Sequence, residues 1–149
     1  TPFIPRPPIR NQDGQSHRNR LKGVKVGCRS PASRGQTCTP KHNGDVRVIN
    51  TCRRGSIAGP SRSAEATAKV VEGSNGTKLK VTFAWPFEGD YWVLDRANDY
   101  SWSIVGDPSG RYLWLLTRSA KLSERQYAAL VKRAASLGYD VGLLRRTKQ

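Results

Sequence analysis

Between Lys78 and Arg118 the chain is cut into short apolar runs by turn residues, and no other stretch limits the possible folds as much. Leu79, Val81 and Phe83 alternate with Lys78, Lys80 and Thr82. That is the period of extended backbone, whose successive side chains point to opposite faces. Trp85-Pro86-Phe87-Glu88-Gly89 breaks the run. Tyr91 to Asp95 predicts a second strand, Arg96 to Asp99 a turn, and Tyr100, Trp102 and Ile104 a third alternating set. Asp107-Pro108-Ser109-Gly110 is a strong turn, and Tyr112 to Thr117 predicts a fourth strand. Short strands at regular spacing predict an up-and-down antiparallel meander closing into a barrel or sandwich. A cup lined with Tyr and Trp, with few polar groups among them, suits an apolar ligand.

The flanks extend this pattern. Asn43-Gly44 is a hairpin signal. Gln36 to Pro40 reads as the remnant of a strand before it, and Val46, Val48 and Ile49 mark a strand running to Cys52. Arg53 to Pro60 is a loop, and Ala64 to Val71 another strand with Ala64, Ala66 and Ala68 on one face. Small side chains there either leave room for a ligand or pack against a bulky neighbour, and both readings stand. After Arg118 the period becomes helical. Ser123 and Gln126 form a capping box, and Tyr127, Leu130, Val131 and Ala134 share one face. Gly138 stands where a helix end favours a left-handed residue. A helix over about 124–137 is expected to flank the barrel, followed by a short strand or extended tail over 139–144.

A chain of 149 residues fits one domain with a real core. It opens on Thr1 and contains no Met, as expected of a fragment, a processed chain or an incomplete gene product. No signal peptide is expected within it. Net charge is +15, which raises a nucleic-acid or anionic surface. Much of it lies in residues 1–40, where Arg6, Arg10, Arg18, Arg20, Lys22, Lys25, Arg29 and Arg34 face Asp13 alone. A basic, Pro/Arg/Ser-rich irregular segment over 1–40, followed by a barrel domain over 41–149, is the expected organisation. A specific nucleic-acid role is unlikely on this distribution.

Catalytic and metal chemistry find little support. There is no Gly-x-Ser-x-Gly elbow and no phosphate loop. Cys28, Cys38 and Cys52 form no C-x-x-C pair, and His17 and His42 are the only histidines, a poor metal set. No cofactor, metal or enzymatic activity is expected.

The order GDVRVINTC (Gly44 to Cys52), LKVTFAWPFEGDYWVLD (Leu79 to Asp95), YLWLLTR (Tyr112 to Arg118) and LGYDV (Leu137 to Val141) resembles the lipocalins, in particular the bacterial outer-membrane lipocalin (Blc) branch, which is similar to apolipoprotein D. The resemblance implies a mainly β fold, an eight-stranded up-and-down barrel with one C-terminal flanking α-helix. It implies a small hydrophobic ligand, in this branch a fatty acid or lysophospholipid, and a place in the cell envelope, periplasm or outer membrane. Asn98-Asp99-Tyr100 matches the family's second motif and Arg118 its third. The first motif, Gly-x-Trp on the opening strand, has no counterpart in residues 1–40. Without it the barrel is expected to be incomplete at its first strand, with two edges exposed, and residues 11–40 read as a misread or unrelated segment. The branch also implies that Cys52, in Asn50-Thr51-Cys52, is half of a disulfide, with Cys28 or Cys38 as its partner and free thiols as the alternative.

The expected site is a cup in which Leu79, Val81 and Phe83 form one wall, Tyr91 and Val93 another, and Tyr100, Trp102, Ile104, Tyr112 and Trp114 the rest. Tyr91 and Tyr112 supply hydroxyls for a head group at the mouth. For each residue the plainer reading is core packing, and a one-residue register error would reverse every assignment. The competing classes are a basic module for nucleic acid or an anionic membrane surface, and a truncated product without function. A monomer or homodimer is expected.

Overall fold

The computed structural model describes residues 9–14, 31–84, 87–142 and 144–146. They form β1 (Ile9–Gly14), β2 (Pro31–Pro40), β3 (Val46–Arg54), β4 (Ser61–Val70), β5 (Lys78–Ala84), β6 (Phe87–Arg96), β7 (Trp102–Gly106), β8 (Leu113–Thr117) and α1 (Glu124–Ser136). Each strand pairs antiparallel with the next, and β1 also pairs antiparallel with β8, so the sheet is a closed barrel. This corrects two expectations. The barrel does not begin at residue 41, and it is not open at its first strand. Residues 9–14 fill that strand without a Gly-x-Trp motif, and 31–40 form the second. The remainder of the segment expected to be irregular, 1–8 and 15–30, lies outside the described residues.

The reason β2 escapes a hydrophobic-pattern reading is local. Its partners on β3 place Gln36 against Asn50 and Cys38 against Val48, so its inward positions carry a polar and a small side chain. The apolar alternation that marks β5 is absent. Ladder hydrogen bonds to β3, running from Pro31↔Arg54 to Pro40↔Val46, make it a strand. Both prolines fall at its ends, where a missing donor is tolerated.

Two apolar clusters lie on opposite faces of the sheet. Inside, Val46, Val48, Ala66, Ala68, Leu79 and Val81 are buried, with Cys38, Phe83 and Tyr91 packed against them. Outside, Ile104, Leu113 and Leu115 meet Leu130 and Ala134 of the helix. Tyr127 and Val131, the rest of the expected stripe, belong to the same outer cluster. Ser123 caps the helix as its sequence predicts. Its Oγ accepts from the Gln126 backbone N at 3.2 Å, and its own N donates to Gln126 Oε1 at 3.0 Å. Gly138 follows with φ +92°, the left-handed conformation that ends the helix.

Beyond the helix, residues 139–142 form no strand, and Tyr139, Val141 and Leu144 pack into the outer cluster. Tyr139 lies flat against Gly106, where an added Cβ would sit 2.7 Å from its ring. Its hydroxyl donates to the Asp107 carbonyl at 2.7 Å. Burial, then the charge of Asp107, raises the pKa of that phenol. Gly106 is thus a contact surface for the segment after the helix. Gly106→Val is predicted to destabilise the fold by about 1–3 kcal/mol through overpacking, read as a lower urea midpoint. An unchanged midpoint would mean that the segment from Tyr139 is not docked.

Candidate functional site

The inner wall is fixed by register. Val46 pairs with Ala68 and Val48 with Ala66; Ala68 pairs with Val81, Val81 with Gly89, and Leu79 with Tyr91. Val93 pairs with Val105 and Val105 with Trp114, continuing the inner face around the barrel. The rings of Tyr91 and Trp114 stack at 6.3 Å, and those of Tyr112 and Trp114 at 5.7 Å. Seven expected lining residues therefore share the inner face: Leu79, Val81, Phe83, Tyr91, Val93, Tyr112 and Trp114.

Three do not. Trp102 and Ile104 pair with Thr117 and Leu115 and belong to the outer cluster beneath the helix. Tyr100 lies in the β6–β7 turn with φ +59°. A shift in register between Val93 and Asp95 and this left-handed residue intervene between Tyr91 and Trp102, so parity cannot be carried from one strand to the next. Trp102 instead lines an external groove of about 740 Å³ between the turn and the helix, beside Leu122, Leu130, Arg96 and Arg133.

Polar side chains that sequence reading passed over stand among the apolar lining. The Tyr91 hydroxyl donates to Gln36 Oε1 at 3.1 Å, and Gln36 Nε2 donates to Asn50 Oδ1 at 3.1 Å. Gln36 is buried. Their signal was the polar residue at an inward position of each of two paired strands. Burial, with the nearby Cys38 thiol second, pushes the Tyr91 phenol well above its ordinary pKa, so it remains a neutral donor.

The wall is closely built yet not filled. Ile104 and Leu115 beneath the helix and Ala134 of the helix itself are 0% exposed, whereas the inner-wall residues Val48 and Val81 keep 5% and 7%. Phe83, Tyr91, Val93 and Trp114 are half-buried although they face into a closed barrel. A Cβ added to Gly89 would meet nothing within 4 Å. A core packed to ordinary density would offer a contact there. Ala66 and Ala68 add further short side chains to the same wall.

The motif residues brace the β6–β7 turn at one barrel end. Arg118 Nε donates to the Tyr100 carbonyl at 2.8 Å, and its backbone N donates to Ser101 O at 2.9 Å. The Arg96 guanidinium lies 4.3 Å above the Tyr100 ring. Asp99 accepts from the Ser101 backbone N at 3.0 Å, and its pKa is lowered chiefly by hydrogen bonds from Ser101, with Arg118 a smaller cause. Asn98 is exposed and lines the external groove. These side chains hold the turn and the entry to the helix together rather than lining the lumen.

Cys52 is disulfide-bonded, and Cys38 is a free thiol on the inner wall. The pairing of Cys52 with Cys38 is therefore excluded; the other candidate, Cys28, lies outside the described residues. Among the described residues no cluster of His, Cys, Asp and Glu could hold a metal ion. Burial raises the Cys38 pKa from 9.0 to about 11. The folded state keeps this proton longer than the unfolded chain does, so the thiol's contribution to stability falls as pH rises from 9.0 towards about 11. Alkylation of folded Cys38 by iodoacetamide is predicted to keep accelerating above pH 9, while in urea it levels off there. A folded profile that levels at the ordinary thiol pH would contradict burial of Cys38.

Comparison with known proteins agrees with this geometry. The lipocalin-like domain family matches residues 29–149. Residues 29–40 are thus part of the family match and not a misread or unrelated segment. Temperature-induced lipocalin-1 of Arabidopsis thaliana is 36% identical over 124 residues, covering 76% of this chain and 63% of that protein. Outer membrane lipoprotein Blc of Vibrio cholerae is 35% identical over 108 residues, covering 70% and 61%. The chain thus spans under two thirds of the length of these relatives. Among solved structures, H1 crustacyanin from the lobster Homarus americanus superposes with a TM-score of 0.68 at 11% identity, covering 99% of this chain and 78% of that one. The tryptamine complex of the amine-binding protein of Rhodnius prolixus gives 0.60 at 17% identity, covering 96% and 77%. With a closed eight-stranded barrel, one flanking helix and a family match over most of its length, the chain belongs to the lipocalin family and is similar to its Blc branch.

Proposed function

We propose that the barrel binds a small hydrophobic molecule, a fatty acid or lysophospholipid, with the acyl chain in the lumen and the head group near Tyr112 and the Tyr91–Gln36–Asn50 chain. The observation that carries this reading is the open space before Gly89, in a wall otherwise made of Leu79, Val81, Phe83, Val93 and Trp114. Each methylene buried there contributes about 0.8 kcal/mol, so a partly buried acyl chain is enough for useful affinity. Neutral hydroxyl and amide groups suit a head group held by hydrogen bonds. Non-covalent carriage, not catalysis, is the activity that fits this lining. The Blc relatives are outer membrane lipoproteins by name, and a cell-envelope location is proposed on that likeness.

The test is titration with a fluorescent fatty acid, read by energy transfer from tryptophan, at low and high salt. Saturable one-to-one binding that survives high salt is expected. Gly89→Phe, whose Cβ meets no atom within 4 Å and whose ring would enter the lumen, is predicted to weaken binding about tenfold or more through the loss of room for two or more methylenes, with the circular dichroism spectrum unchanged. Binding that vanishes with salt, or that Gly89→Phe leaves intact, would contradict a ligand in the lumen.

A further inference from the structure

The turns described at the two ends of the barrel differ in charge. One end carries the turns over 41–45, 71–77 and 97–101; the other carries the β3–β4 hairpin tip over 55–60 and the β7–β8 turn over 107–112. The first three turns hold the carboxylates Asp45, Glu72 and Asp99, with Lys41 their one Lys or Arg. Arg96 and Arg118 beside them are turned onto Tyr100. The β3–β4 hairpin is the reverse. Arg53, Arg54 and Arg62 flank its tip and are exposed. No carboxylate occurs between Asp45 and Glu65. Arg111 is exposed on the β7–β8 turn, across the barrel from this hairpin. Asp107 accepts from the backbone of Ser109 and Tyr112 at 3.2 and 3.0 Å, and Glu88 accepts from the Thr82 hydroxyl at 3.2 Å.

Between Arg53 and Arg54 on one strand and Arg62 on the next stands Ile57, 58% exposed. Its exposure is not that of a slack loop. Arg54 N donates to Pro60 O at 3.1 Å, Ser56 N to Arg54 O at 2.9 Å and Gly59 N to Ser56 O at 3.0 Å. Arg53 Nη1 reaches across to Gly59 O at 3.0 Å. Gly59 passes so close to the Arg54 carbonyl that a Cβ there would stand 1.9 Å from it. A braced backbone therefore holds one large aliphatic side chain out in water, on a hairpin whose strands carry Arg53, Arg54 and Arg62 beside the tip. Water disfavours that arrangement, and an interface with apolar interior and anionic surface favours it.

We propose that this hairpin tip docks on an anionic lipid bilayer, with Ile57 entering the acyl boundary and the arginines at the phosphate level. The charge asymmetry then orients the barrel axis across the membrane surface, with the carboxylate-bearing turns away from it. Nucleic acid shares the phosphate chemistry, but residues 46–64 contain no aromatic side chain on which a base could stack. An aliphatic tip suits lipid. The inference does not depend on the acyl-chain reading of the lumen, because it needs only the exposed side chains at and beside the hairpin tip.

The test is co-sedimentation of the full chain with vesicles of phosphatidylcholine alone or doped with phosphatidylglycerol, without added fatty acid. The wild type is expected to bind the doped vesicles and not the neutral ones. Ile57→Ser should raise the lipid concentration for half-binding roughly tenfold, Arg62→Gln about fivefold, and Ile57→Trp should lower it. Gly89→Phe should bind as the wild type, which separates docking from occupancy of the lumen. Urea midpoints of the variants should match the wild type, since these side chains face solvent. No binding to doped vesicles would overturn the proposal. So would vesicle binding indifferent to Ile57→Ser and Ile57→Trp, since other basic surface would then be responsible. Arg62→Gln weakening a single-stranded oligonucleotide complex while leaving vesicle binding unchanged would overturn it in favour of nucleic acid.

Discussion

The structure depends on one set of backbone hydrogen bonds, those between β1 and β8. A curled sheet of seven strands would leave two rows of unsatisfied donors and acceptors, which invite pairing with other chains. Here Arg10 lies opposite Thr117 and Asn11 opposite Leu116, so β8 is paired on both sides. Closure is reached without a Gly-x-Trp motif. The pairing turns the inner face of the sheet into a lumen.

Closure also separates two kinds of apolar burial. Where the helix packs on the sheet, Ile104 and Leu115 below and Ala134 above have no exposed surface, because two layers meet there. Inside, there is no second layer. The wall must fill its own space or leave it, and Ala66, Ala68 and Gly89 leave it. The polar exceptions are linked to one another, with Tyr91 donating to Gln36 and Gln36 to Asn50. An unpaired amide in such a place would cost about 1–3 kcal/mol. The free thiol of Cys38 sits in the same wall as a small apolar group, its ionisation suppressed by burial.

How much could be read from the sequence follows from which faces are covered. β5 faces solvent on one side, so Leu79, Val81 and Phe83 stand out against lysines and their inward direction is legible. β7 and β8 are covered on both faces, so Trp102, Ile104 and Val105 are all apolar, and alternation carries no direction. The register shift in β6 and the left-handed Tyr100 then remove the count from Tyr91 that would have settled it. The helix was legible to within a residue, because its cap, its apolar stripe and Gly138 act locally. β1 and β2 were not, because their strands are imposed by partners distant in sequence, and Gln36 and Cys38 give no hydrophobic signal. The motif residues Asp99, Tyr100 and Arg118 were found as a group, and their role in clasping the turn to the chain after β8 needed the coordinates.

Closure is tested most directly by amide hydrogen exchange in β8. In a closed barrel the amides of residues 114–117 are all hydrogen-bonded, alternately to β7 and to β1, and all should exchange slowly. If β1 does not pair, every second amide in that stretch faces solvent and should exchange at the rate of an exposed edge, while its neighbours stay protected. Uniform protection is the result expected from the barrel described above. An alternating pattern would contradict it, and the lumen would then be an open groove.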